Sequence, residues 1–263
     1  MTQSEIAINA GIKKANLSTF KQFILGIMAG AFIAFGAEAA NMISYNIASV
    51  NTAKFLAGLI FPAGLIMVVI AGAELFTGNC LMIFALAEKK ITLKNLLRSW
   101  VVVYLGNFVG GILIAGLIYF SGQLNYDGGL LGAYTIKAAA SKTAMNFLPA
   151  FVMGVLCNWL VCLAVYMSYG ADSTVGKAAV IFFPIWLFVA SGFEHSIANM
   201  YYITAGIFSK SNGLYLSKAI ELGADVNNLN WLNMFVKNLL PVTLGNILGG
   251  AGFVGLAYWK VNK

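Results

Sequence analysis

The chain has 263 residues, of which 60% are hydrophobic and only 10% charged, with a formal net charge of +7. A soluble domain carries roughly 25% charged residues, so this little polar surface cannot enclose so apolar an interior, and lipid must serve as solvent. The positive charge is no nucleic-acid signal, because the lysines are scattered along the edges of apolar segments.

Residues 1–21 are polar and predict a short amphipathic segment at the cytoplasmic face; nothing in them has the form of a removable signal peptide. Crossing ~30 Å of hydrocarbon takes ~20 mostly apolar residues in a helix. Six segments qualify, at about 22–46, 55–87, 96–121, 145–170, 178–208 and 235–260. The expected fold is therefore an all-α polytopic membrane protein with one six-helix transmembrane domain over residues 22–260. The second and fifth segments are unusually long and polar near their middles, with Glu74, Thr77 and Asn79 in one and Glu194, His195 and Asn199 in the other. Both are expected to be broken helices. Ten lysines and arginines fall on one side of these spans and six on the other, which by charge bias makes both termini cytoplasmic. Arg98 is the only arginine, a bias of low-GC bacterial genomes, so the bacterial cell membrane is the expected location. Cys80, Cys157 and Cys162 lie in apolar segments at spacings that suit no metal and read as small hydrophobes. No cofactor is expected.

The third span reads LGNFVGGILIAGLIYF from Leu105, and the sixth reads LGNILGGAGFVGLAYW from Leu244, at a constant offset of 139 residues. The chain is thus two halves, about 22–121 and 145–260. With three spans per half, the second enters the membrane inverted. Inverted repeats place a substrate site near the midplane between broken helices, where freed backbone groups must be satisfied by protein or a water-lined cavity. Gly106, Gly110, Gly111, Gly245, Gly249 and Gly250 read as packing faces for close helices.

His195 is the only histidine, and the only intramembrane group that ordinarily titrates near neutrality. Phe188, Phe193 and Ile197 around it favour the uncharged ring, whereas an arriving anion favours imidazolium. That combination suits a weak-acid path; the bland alternative is a structural histidine between helices. Thr77 can meet His195 across the pseudo-two-fold axis or bond back onto its own helix. Glu74 and Glu194 are expected to be neutralised or bound to backbone at the breaks. Asn158 either lines the cavity or secures an interhelical contact. Lys21 and Lys142, at opposite ends, either concentrate anions at a pore mouth or snorkel to headgroups.

The stretches AELFTGN, GNFVGG, CNWLVCLAVYMSYGA, FVASGFEHSIANMYYI and LLPVTLGNILGG closely resemble the formate/nitrite transporter family of bacterial anion channels, over about residues 20–260. The resemblance implies an aquaporin-like protomer of six helices, assembled as a homo-pentamer with one pore per protomer, and no enzyme. It makes His195 the central pore histidine and Thr77 the threonine of the flexible loop. Phe61 and Leu65 become the cytoplasmic constriction, and Phe76 with Phe188 the outer one. Lys21 and Lys142 become the vestibule lysines, and Asn158 the pore-side asparagine. The substrates implied are small monovalent weak-acid anions (formate, nitrite or hydrosulfide), with overall similarity leaning to hydrosulfide. Two other readings are weaker. A neutral-solute channel of aquaporin-like architecture would call for Asn-Pro-Ala pairs at the breaks, which are absent, and a twin-histidine ammonia pore needs a second histidine. A hydrolase using Ser196 or Ser191 with His195 lacks a nucleophile elbow, and neighbours in sequence do not face each other on a helix.

Overall fold

The structure, a computed structural model, describes residues 1–263 and is all-helical. In chain order the helices are α1 (Gln3–Ala15), α2 (Thr19–Ser44), α3 (Val50–Ala71), α4 (Phe76–Ala87), α5 (Leu93–Ser121), α6 (Tyr126–Thr143), α7 (Phe147–Ser168), α8 (Thr174–Ser191), α9 (Ser196–Ser209), α10 (Gly213–Glu221) and α11 (Trp231–Val261). Six of them, α2, α3, α5, α7, α8 and α11, are long and apolar enough to span a bilayer. Ser18, Ser49, Thr92 and Ser173 start four of these spans, each accepting a backbone N–H in the first turn and relieving one of the unpaired donors at a helix start.

The expected second and fifth segments are each two helices, α3 with α4 and α8 with α9. Gly72 (φ +75°) and Gly192 (φ +74°) end α3 and α8 in the left-handed conformation that glycine adopts without strain. Extended backbone follows at Leu75 and His195, and the chain re-enters helix at Phe76 and Ser196. The polar residues of the two breaks, Glu74 and Glu194, are equivalent in the two halves.

Other equivalent residues are arranged as a two-fold relation between the halves would have them. Tyr104 Oη and Thr243 Oγ1, 139 positions apart, meet each other at 2.9 Å, as residues lying on a two-fold axis must. Lys14 of α1 reaches Glu74, and Lys142 of α6 reaches Glu194, so α1 stands to the first half as the end of α6 stands to the second. The first span of each half packs backbone to backbone on the last. Gly26 faces Gly106, and Gly154 faces Gly245. A Cβ at Gly154 would lie 2.7 Å from the Val242 carbonyl oxygen and 3.3 Å from Gly245 Cα. Gly154→Val therefore forces α7 and α11 apart and is expected to destabilise by roughly 1–3 kcal/mol or more. Thermal unfolding in detergent checks this, with Gly213→Ala, at a site open to solvent, remaining native-like.

Candidate functional site

Each break is held by the same set of bonds. In the first half Glu74 accepts from Lys14 at 2.8 Å and from Asn79 at 2.7 Å. In the second, Glu194 accepts from Lys142 at 2.9 and 3.1 Å and from Asn199 at 2.6 Å. These are the two ion pairs of the structure. The carboxylates thus neutralise a lysine at each break. Asn107 accepts the Phe76 N–H at 2.9 Å and donates to the carbonyls of Gly26 (2.7 Å) and Glu74 (2.9 Å). Asn246 does the same with Ser196 N–H (3.0 Å), Gly154 O (2.8 Å) and Glu194 O (3.1 Å). Each asparagine staples its break to the first span of its own half, satisfying backbone groups that lipid would leave bare. Asn107 and Asn246 are the third residues of the repeated L-G-N. Their role escaped the sequence reading, although a polar residue fixed at the repeat offset among apolar neighbours was the signal for it.

His195 caps α9. Its Nδ1 accepts the Ala198 N–H at 3.1 Å, and its Nε2 stands 3.0 Å from Thr77 Oγ1. A backbone N–H only donates, so Nδ1 is bare and the ring proton of the neutral imidazole sits on Nε2, donating to Thr77. Neither ring nitrogen engages Ser191 or Ser196, which removes the hydrolase geometry. By the repeat, His195 is equivalent to Leu75 and Thr77 to Ile197. The pairing is therefore asymmetric: one half contributes an imidazole where the other contributes a leucine. Asn158, fully buried, donates to the carbonyls of Asn246 (2.7 Å) and Thr77 (3.3 Å), and Cys162 Sγ reaches the same Thr77 carbonyl at 3.1 Å. Asn158 thus secures an interhelical contact behind the break and does not line the cavities on either side.

Two cavities approach this centre from opposite faces. On the face of the termini, a cavity of about 400 Å³ is lined by Lys13, Lys14, Glu74, Leu65 and Leu75 among others. On the far face, one of about 410 Å³ is lined by Lys54, Lys137, Lys142, Phe61, Phe188 and His195 among others. Between them the wall closes to a seam with no room for a water molecule. Three pairs of equivalent residues form it, Ile33 with Val161, Leu65 with Ile185 and Leu75 with His195, joined by Phe61 and Phe188. His195 is the one polar side chain in the seam.

The expected constriction residues are regrouped. Phe61 packs edge-to-face on Phe188, centroids 5.6 Å apart, and both open onto the far cavity, whereas Leu65 lies with Leu75 toward the termini. Phe76 lines neither of the two cavities nor the seam between them. It begins α4 on the side facing α5, its ring edge-on to Trp100 and Tyr104 at 6.0 and 5.0 Å. Lys21 lies exposed in the first turn of α2 and lines neither cavity, whereas Lys14 of α1 lines the cavity on the face of the termini. Lys142 lines the far cavity, and Thr77 meets His195 from behind the seam.

The family model described as formate/nitrite transporter matches residues 2–260. A relative in Haemophilus influenzae named "Formate channel FocA" is 42% identical over 265 residues, spanning 96% of this chain and 90% of the relative. A solved structure described as a pentameric formate channel with formate bound superposes with a TM-score of 0.82 at 38% identity, covering 93% of this chain and 97% of the other. A second, described as an FNT family ion channel, gives a TM-score of 0.85 at 28% identity over 98% of each chain.

Proposed function

The chain belongs to the formate/nitrite transporter family, a family of transporters and not of enzymes, and from that premise we propose a channel for small monovalent weak-acid anions, formate foremost. The observation that carries this is the seam: a dry apolar closure between two lysine-lined cavities, with one N–H donor in its wall. An anion loses its water there, a step that is very costly for a bare charge and that a hydrogen bond from the protein offsets in part. The His195 Nε2–H supplies that bond by turning from Thr77 Oγ1 to the anion, while the Ala198 N–H keeps the ring seated through Nδ1. Thr77 is the resting acceptor and so a positioning residue. Phe61 and Phe188 shut the seam from one side, Leu65 and Leu75 from the other.

Formate stands first because the relative and one superposed structure are named or described as formate channels; the lean to hydrosulfide has no residue of the seam behind it. A homo-pentamer with a pore in each protomer follows the pentameric description of that structure. Both termini face the cytoplasm of a bacterial cell, as the lysine bias has it. A water or glycerol pore would need a continuous row of donors and acceptors, and this seam offers one. Proteoliposome flux of formate, nitrite, hydrosulfide and glycerol tests the proposal. Formate is expected to pass and glycerol to be retained; passage of glycerol or water with no anion flux refutes an anion channel.

A further inference from the structure

Glu38 is the only acid inside any of the six spans, and neither the breaks nor the seam use it. It is 5% exposed and lines neither cavity. No lysine answers it, since both ion pairs belong to the breaks. The ionisable groups facing it, Tyr201 and Tyr202 of α9, are phenols and bring no positive charge. An acid placed in hydrocarbon is costly and marks a task with a definite partner.

Its partners form a line across three helices. The Tyr201 hydroxyl of α9 donates to Glu38 Oε2. One turn along α2, Asn41 donates through Nδ2 to Thr135 Oγ1 of α6 at 2.8 Å. Thr135 gives its own hydroxyl proton to the Leu131 carbonyl at 2.8 Å. Every bond points the same way, and one link is missing. Glu38 Oε1 and Asn41 Oδ1 are both buried without a hydrogen-bond partner. The two side chains are three residues apart, on one face of α2 and within reach of each other. If Glu38 is ionised, both of these oxygens can only accept. One proton on Glu38 Oε1, donated to Asn41 Oδ1, satisfies the two orphans at once and removes the charge. Turning the Asn41 amide over would give the carboxylate a donor, but it leaves an anion among apolar side chains with no cation beside it, the costlier arrangement.

We propose that Glu38 is a proton-binding site, holding a resident acid proton that closes the line from Tyr201 to Leu131 and ties α9 to α2 and α6. The tie bears on the seam, because α2 carries Ile33 into it and α9 begins at His195. No other side-chain hydrogen bond joins α2 to α9. Glu38 is thereby a positioning residue for the imidazole. The proton site stands apart from the channel reading, and only its effect on flux rests on that reading.

Infrared spectra of native protein and of Glu38→Gln, both reconstituted in lipid in neutral buffer, test the proton directly. Glu74 and Glu194 are ion-paired, so native protein is expected to show a carboxylic-acid C=O stretch, downshifted in D2O, that Glu38→Gln loses. Thermal unfolding and flux read the tie. Glu38→Leu strands the Tyr201 hydroxyl and Asn41 Oδ1, and is expected to unfold several degrees lower and to pass formate roughly three- to tenfold more slowly. Glutamine offers Tyr201 an acceptor and Asn41 a donor, so Glu38→Gln should recover most of both losses. Native protein with no acid band, or with a band that Glu38→Gln leaves in place, overturns the proton site. Glu38→Gln as impaired as Glu38→Leu overturns the closed line, and native flux in Glu38→Leu overturns the positioning role. Native protein that shows the band but conducts no formate overturns the channel reading and leaves the proton site standing.

Discussion

His195→Phe is expected to lower formate flux about 10- to 100-fold. A hydrogen bond to a charged group is worth roughly 1.5–3 kcal/mol, and each ~1.4 kcal/mol is a factor of ten. Phenylalanine keeps the ring beside Phe188, 6.0 Å away in the native seam, so the closure stays intact while its one donor is lost. The cap on Ala198 goes with it, at a cost of about 1 kcal/mol to the start of α9, too little to unfold the bundle. His195→Asn separates the two roles. Asparagine is a strong N-cap and carries an amide donor, so this variant should keep α9 seated and retain more flux than the phenylalanine variant. Initial rates in proteoliposomes, scaled to incorporated protein, check both. Equal rates for His195→Phe and native protein would mean that the imidazole never meets the permeating ion.

Asn107→Leu and Asn246→Leu are expected to be the most destabilising single substitutions in the molecule. Each removes one acceptor and one donor from backbone groups at a break, and a second donor from a helical carbonyl of the first span of that half. An orphaned buried polar group costs roughly 1–3 kcal/mol, so the two at the break exceed the ~1 kcal/mol of an ordinary substitution several-fold. Asn107→Asp keeps the acceptor for Phe76 N–H and should fall between leucine and native. Thermal unfolding in detergent reads the order; a leucine variant that unfolds at the native temperature would contradict the stapling role.

The membrane spans were legible because hydrocarbon thickness and apolar run length fix each other. The 22–46 segment became Thr19–Ser44 once Ser18 set its start. The breaks were legible too, since a glutamate in the middle of an apolar segment is costly unless the helix opens there and a partner meets it, and the repeated L-G-N tied the two halves together. Side-chain direction was not. Phe76 and Phe188 sit at corresponding breaks, but Phe76 opens a helix whose first turn faces α5, and only the packing of Trp100 and Tyr104 decides that. Lys14 and Lys21 are seven residues apart in a polar stretch. Which one enters the vestibule depends on how α1 docks, with Ser4, Ala7, Gly11 and Ala15 buried, and not on charge or spacing. Asn158 had two readings, and its bonds to the Asn246 and Thr77 carbonyls, which spacing does not reveal, favour the interhelical contact.

The central claim is that the His195 Nε2–H is handed from Thr77 to the passing anion. Because the chain has a single histidine, 15N-histidine labelling gives one imidazole whose two nitrogens are assigned without ambiguity. The measurement is a formate titration of that imidazole in lipid-reconstituted protein. The expected result is a bare Nδ1 and a protonated Nε2 at rest, with the Nε2 signal shifting saturably as formate is added and Nδ1 unmoved. A ring protonated on Nδ1, or an Nε2 signal indifferent to formate in protein that conducts it, would contradict the handover.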